Sequence, residues 1–150
     1  MSERIPLILE EDPDIPIVEL RSIITTGTVN EKEHVAGVGR IALRLLRRGA
    51  GELGRREIDE EIDRIAATLM TQATPDFYAI HLRVLEKHAD RACELYSKIL
   101  REPTLQEEEL DRLKRETCAE IVSSRDDDRH LAGRALRMML FGEHPYGRPS

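Results

Sequence analysis

The sequence predicts an α+β fold of two layers, an antiparallel sheet with helices packed on one face. Two observations carry that expectation. Asp76 to Leu85 alternates with period 2, which suits a strand buried on one side. Elsewhere apolar residues recur at helical spacing, clearest in Ile58, Ile62 and Ile65 and again in Ala92, Tyr96 and Ile99. The 150 residues suffice for one domain with a real core.

In chain order, Ile5 to Leu9 reads as a short strand and Asp12-Pro13-Asp14 as a turn. Ile15 to Thr26 reads as a second strand, β-branched at Ile17, Val18, Ile23 and Ile24. A polar loop, Gly27 to His34, precedes a helix from about Val35 to Arg48. Val38, Ile41, Ala42, Leu45 and Leu46 form its inward stripe, and Gly49 stands where a left-handed cap would end it. Arg40, Arg44, Arg47 and Arg48 form a second, basic stripe, which periodicity alone reads as a solvated face. After the glycine-rich connection Gly49 to Gly54, Arg55 to Ala67 reads as a helix with Ile58, Ile62, Ile65 and Ala66 inward.

Thr68 to Thr74 reads as a short strand, followed by the alternating strand from Asp76 with Tyr78, Ile80, Leu82 and Val84 on one face. His88 to Leu100 reads as a helix on Ala89, Ala92, Cys93, Tyr96, Ile99 and Leu100. Thr104 with Glu107 has the spacing of a capping box, opening a helix to about Ser124 with Leu110, Leu113, Thr117 and Ile121 inward. Arg125 to Asp128 is a charged break. His130 to Phe141 is the last helix, with Leu131, Ala135, Met138 and Met139 inward.

The bulk numbers exclude several function classes. Hydrophobic residues make up 40% and charged ones 35%, which suits a soluble globular chain. Twenty-three basic against 29 acidic residues leave a net charge of −6 with the signs interspersed, so nucleic acid is not an expected partner. No apolar run approaches the ~18 residues of a membrane-spanning helix. No signal-peptide pattern opens the sequence, and a cytoplasmic or periplasmic place is expected if the source is bacterial. Cys93 and Cys118 fall at helical core positions and read as small buried hydrophobes rather than a disulfide framework.

Other chemistry is thin. His88, Asp90 and Cys93 are close in sequence but not on one helix face, and His34, His81, His130 and His144 have no partner at ligand spacing. Ser123-Ser124 has no His or acid arrangement around it. Gly49, Gly51 and Gly54 follow a helix rather than precede one, so they do not form a phosphate-binding loop.

The stretch Gly37-Val38-Gly39-Arg40-Ile41-Ala42-Leu43-Arg44, closing at Gly49, resembles the zinc helix of the insulinase/pitrilysin family of inverted-motif zinc peptidases. The resemblance extends through the Asp12-Pro13 turn, the Ile-rich helix, Asp76, Arg101-Glu102-Pro103-Thr104, Leu113-Lys114-Arg115-Glu116 and Gly142-Glu143-His144-Pro145-Tyr146-Gly147-Arg148-Pro149. In that frame the His, Glu and His of H-x-x-E-H fall on Arg40, Leu43 and Arg44, and the family's third ligand, a later Glu, on Glu120. Arginine offers no lone pair and leucine no general base, so no catalytic residue and no metal site is expected in this chain. Glu116, one turn before Glu120, would join it and the arginines in an ion-pair cluster.

The resemblance also implies an edge strand that binds substrate by strand addition. Where the family carries Asn-Ala-x-Thr, this chain has Met70-Thr71-Gln72-Ala73. The implied protein is a non-catalytic subunit similar to those of the mitochondrial processing peptidase, which completes a chamber and helps hold peptide. Its partner would be an active insulinase-family subunit or a second half of the same chain, and zinc would lie there. The alternatives are an active zinc peptidase whose H-x-x-E-H lies beyond residue 150, or a purely structural subunit of a larger assembly. Residues 1–150 would be the N-terminal part of the domain, truncated after the His-Pro-Tyr-Gly loop.

Overall fold

A computed structural model describes residues 5–148. Three strands form an antiparallel sheet: β1 (Ile17–Ile24), β4 (Thr68–Ala73) and β5 (Tyr78–Leu85), in the order β1-β5-β4. β5 is central because its alternation buries Tyr78, Ile80, Leu82 and Val84 on the helix side. Its register sets Ile17 opposite Leu85 in β1 and Ala73 opposite Tyr78 in β4. A short pair, β2 (Gly49–Ala50) and β3 (Leu53–Gly54), replaces the expected plain connection.

Five α-helices among the described residues complete the fold: α1 (Val38–Leu45), α2 (Arg55–Arg64), α3 (Ala89–Arg101), α4 (Glu107–Ser123) and α5 (Asp128–Phe141). The core joins the inner face of β5 to Leu43 of α1, Ile58 and Ile62 of α2, and Ala92, Leu95, Tyr96 and Ile99 of α3. The Tyr96 hydroxyl donates to the Ile80 carbonyl at 2.9 Å, so its burial strands no donor. The two-layer α+β architecture is the one the periodicities imply. The Asp12-Pro13-Asp14 turn also forms, closed by the Asp14 amide on the Asp12 carboxylate.

Several expectations fail, each for a local reason. Ile5 to Leu9 forms no strand: its apolar side chains are exposed and no ladder among the described residues receives it. Helix α1 is shorter than Val35 to Arg48, because Gly37 turns left-handed (φ 93°) just before it and the chain leaves for β2 just after. Gly49 is not a helix cap. It is buried in β2, and Thr104 packs where a Cβ would stand.

That contact also undoes the capping box. The Thr104 amide donates to the Gly49 carbonyl, Leu105 adopts a positive φ, and α4 starts only at Glu107 with no side-chain cap. Ala66 is exposed because the chain turns left-handed there after α2. Cys93 and Cys118 are exposed free thiols, on the outer sides of α3 and α4. Ile121 is likewise exposed.

The α5 helix, capped by the Asp127 carboxylate on the amides of Arg129 and His130, packs on its flanking turns and not on the sheet. Leu131, Ala135, Met138 and Met139 therefore face outward. Pro149 lies outside the described residues. The rest of the closing loop folds back: the Tyr146 hydroxyl donates to Asp76, and Arg148 donates to the Glu31 carbonyl.

Candidate functional site

Helix α1 lies between two partners, the β4 and β5 strands on one side and α4 on the other. That placement explains its burial. Leu43 (5% exposed) enters the core and Leu45 (7%) is covered as well, whereas Val38 and Ala42, expected inward, are exposed. A helix covered from two sides does not present a single stripe.

The α4 side decides the state of the arginines. Arg44 grips Glu120 with both terminal guanidinium nitrogens, at 2.9 and 2.8 Å, and donates to the Thr117 hydroxyl at 3.1 Å. Glu116 lies 3.9 Å from the same guanidinium. One turn on, Arg48 reaches Glu116 at 2.7 Å and Glu109 at 3.3 Å. The Arg48 side chain is only 11% exposed, which the solvated reading of the basic stripe missed. The Arg48 hydrogen bond, together with the charges of Arg48, Arg55 and Arg44, holds the Glu116 carboxyl below its ordinary range against the opposing effect of burial. Arg47 turns to Asp59 at 2.9 Å.

These pairs make a checkable contribution. Removing a bidentate partner from a part-exposed pair is expected to cost about 1 kcal/mol. Glu120→Ala should therefore lower the melting temperature by roughly 2–4 °C in low salt, and by less in 1 M salt. An unchanged melting temperature would mean that the pair adds nothing to stability.

The start of α1 is set by a residue that sequence inspection passed over. The Glu31 carboxylate accepts from the amides of Gly37 (2.6 Å) and Gly39 (2.8 Å) and from the Tyr78 hydroxyl (2.7 Å). It thus satisfies two N-terminal donors of α1 and ties the helix to β5. Gly39 is required here, since a Cβ would collide with the Tyr78 ring.

Burial pushes the Glu31 carboxyl up, but the bonds from Tyr78, Gly37 and Gly39 and the charge of Arg40 outweigh it and hold it below 4.5. Burial, then Glu31, pushes the Tyr78 phenol up to about 12. A depressed carboxyl stabilises the fold above its unfolded value, and that stability is lost as pH falls through the folded one. The stability gap between wild type and Glu31→Gln should thus be widest near neutrality and close as pH drops below 4.5. In absorbance titration the tyrosine step at about 12 should vanish in Tyr78→Phe.

The β4 side of α1 leaves a cleft of about 350 Å³, lined by Arg40, Leu43, Arg44, Thr71, Gln72 and Ala73. Met70, the fourth residue singled out in this strand, is exposed beside it. Among the described residues β4 pairs with β5 alone, so its other edge presents unpaired main-chain groups to this cleft. His88, Asp90 and Cys93 do not converge: among the described residues no three His, Cys, Asp or Glu side chains are grouped so as to hold a metal ion. No described helix is long and apolar enough to cross a membrane.

The sequence profile of the insulinase family (Peptidase family M16) matches residues 7–150. The chain is 24% identical over 143 residues to the "Uncharacterized zinc protease YmxG" of Bacillus subtilis, covering 95% of this chain and 35% of that protein. It is 22% identical over 142 residues to the "Non-peptidase homolog YmxG" of Helicobacter pylori, again covering 95% of this chain and 33% of the relative. It thus spans about a third of the length of these curated relatives.

The fold is shared with a "peptidase M16 inactive domain" from Pseudomonas fluorescens, with a TM-score of 0.81 and 23% identity over 90% of this chain and 33% of that one. It is shared too with pitrilysin, with a TM-score of 0.73 and 16% identity over 90% of this chain and 14% of that one. With the profile matching nearly its whole length, this chain belongs to the insulinase family, peptidase family M16.

Proposed function

We propose that this chain is the N-terminal part of a non-catalytic insulinase-family subunit that closes a chamber with an active partner and helps hold peptide there. The observation that carries the reading is the Arg44–Glu120 pair, whose arginine lines a cleft beside a strand edge left unpaired among the described residues. In the family frame Arg40, Leu43, Arg44 and Glu120 stand at the positions of the first His, the Glu base, the second His and the last ligand. The residues present do not suit zinc. A guanidinium remains protonated and repels a dication, and the Glu120 carboxylate is already engaged by Arg44. No hydrolytic step is therefore assigned to this chain.

The relative named a non-peptidase homolog supports the same reading. Peptide holding would use the main chain of β4 at Met70, Thr71, Gln72 and Ala73, by addition of an extended strand. Strand addition needs unpaired amides and carbonyls, not a particular side-chain sequence.

Native mass spectrometry of the full-length protein from its own cells tests the assignment, because it reports partner and metal together. A heterodimer with one zinc per pair is expected. A homo-oligomer with one zinc per chain, or chelator-sensitive peptide cleavage by the protein alone, would overturn the reading. A zinc-free homo-oligomer would replace it with a structural role.

A further inference from the structure

We propose that the cleft between α1 and β4 selects extended peptides carrying an acidic side chain, which pairs with Arg40; this rests on the peptide-holding role proposed above. Four arginines punctuate α1 and its exit, and three of them are spent. Arg44 is held by Glu120, Arg48 by Glu109 and Glu116, and Arg47 by Asp59. Arg40 makes no ion pair among the described residues, yet it lines the cleft beside Thr71, Gln72 and Ala73. Glu31 is near enough to feel its charge, but the Glu31 oxygens are taken by Gly37, Gly39 and Tyr78. The cleft thus joins an unpaired strand edge to a cation whose hydrogen-bond donors are free for a carboxylate.

The direction of pairing says which carboxylate. Both neighbouring pairs in this sheet are antiparallel. A strand added to β4 in the same sense runs against it, with its amino end opposite Ala73 and its carboxyl end opposite Thr68. Arg40 sits by the Thr71–Ala73 end. It therefore meets a residue early in the bound segment, and the carboxylate is an Asp or Glu side chain rather than a chain terminus.

The test is fluorescence anisotropy with full-length protein and ten-residue peptides, acetylated and amidated at their ends. They differ only in Asp, Asn or Lys at an early position. The Asp peptide should bind about tenfold tighter than the Asn peptide at low salt. The preference should shrink with added salt, largely vanish in Arg40→Gln and survive in part in Arg40→Lys.

N-methylation of alternate peptide amides separates the two layers of the argument. If it abolishes binding while Asp and Asn peptides bind alike, strand addition stands and the acidic preference is wrong. If a free C-terminal carboxylate strengthens binding and an acidic side chain does not, the antiparallel placement is wrong. If no peptide binds, the peptide-holding role fails and takes this inference with it.

Discussion

Leu113→Ala is expected to destabilise the protein by about 3 kcal/mol and lower its melting temperature by roughly 10 °C. Leu113 is fully buried, and it alone among the residues of α4 is classed as buried. The rest of that helix meets α1 through polar and part-exposed contacts. A cavity at Leu113 thus removes the apolar anchor of the helix that carries Glu109, Glu116 and Glu120. The ion pairs cannot replace it. Each exposed pair is worth at most about 1 kcal/mol, against a typical 2–5 kcal/mol for truncating a buried leucine.

The consequence reaches the site, because α4 supplies the counter-charges of Arg44 and Arg48. Denaturant unfolding should show the midpoint falling with little change in slope. Amide exchange should rise first along α4. A loss below about 1 kcal/mol would mean that α4 is held by its ion pairs after all, and the Arg48 contacts would then be the ones to remove.

The parts of the fold that were legible are those where one periodic signal meets one neighbour. Strand β5 alternates and buries the predicted face at Tyr78, Ile80, Leu82 and Val84. Helix α2 places Ile58 and Ile62 inward as spaced, and Ile65 at its C-cap follows. Periodicity misled where an element has two neighbours or none. Sandwiched between the strands and α4, α1 buries Leu43 and Leu45 and exposes Ala42. Among the described residues α5 packs chiefly on its flanking turns, so most of its apolar spacing meets no layer. The Thr104 to Glu107 box had the right letters, but Thr104 was already committed to Gly49.

The site was half legible. The meeting of Arg44 with Glu116 and Glu120 was foreseen from spacing and resemblance; Arg40, expected in the same cluster, stays out of it among the described residues, and the deeper Arg48–Glu109 contact was not foreseen. A signal for it existed. Glu109, Glu116 and Glu120 fall at i, i+7 and i+11, one acidic face opposite arginines four apart on α1 and its exit. The Glu31 clasp had no such signal, because its partners are main-chain amides and a tyrosine 47 residues away.

The double substitution Arg40→His, Arg44→His should turn this chain into one that binds zinc. Positions 40 and 44 are one turn apart on α1, so two imidazoles there would stand on one face at a spacing suited to a shared ion. Arg44 already reaches Glu120 at 2.8 Å, which places that carboxylate within range as a third donor once the guanidinium is gone. Leu43 is best left alone. It is 5% exposed, and a carboxylate there would lose its hydration without gaining a cation of its own.

Without metal the double variant should be less stable than wild type, since Glu120 loses its bidentate partner. With zinc at a hundred times its dissociation constant it should regain about 2.7 kcal/mol, a rise in melting temperature of roughly 5–10 °C that chelator reverses. Replacing Glu120 as well should weaken zinc binding by tenfold or more. The wild type, with two guanidinium groups in these places, should show neither effect. A double variant that folds but takes up no zinc would mean that Arg40, Arg44 and Glu120 are not where the family keeps its metal. The silent-subunit assignment would then lose its footing, and the Arg44–Glu120 pair would be an ordinary helix-to-helix contact.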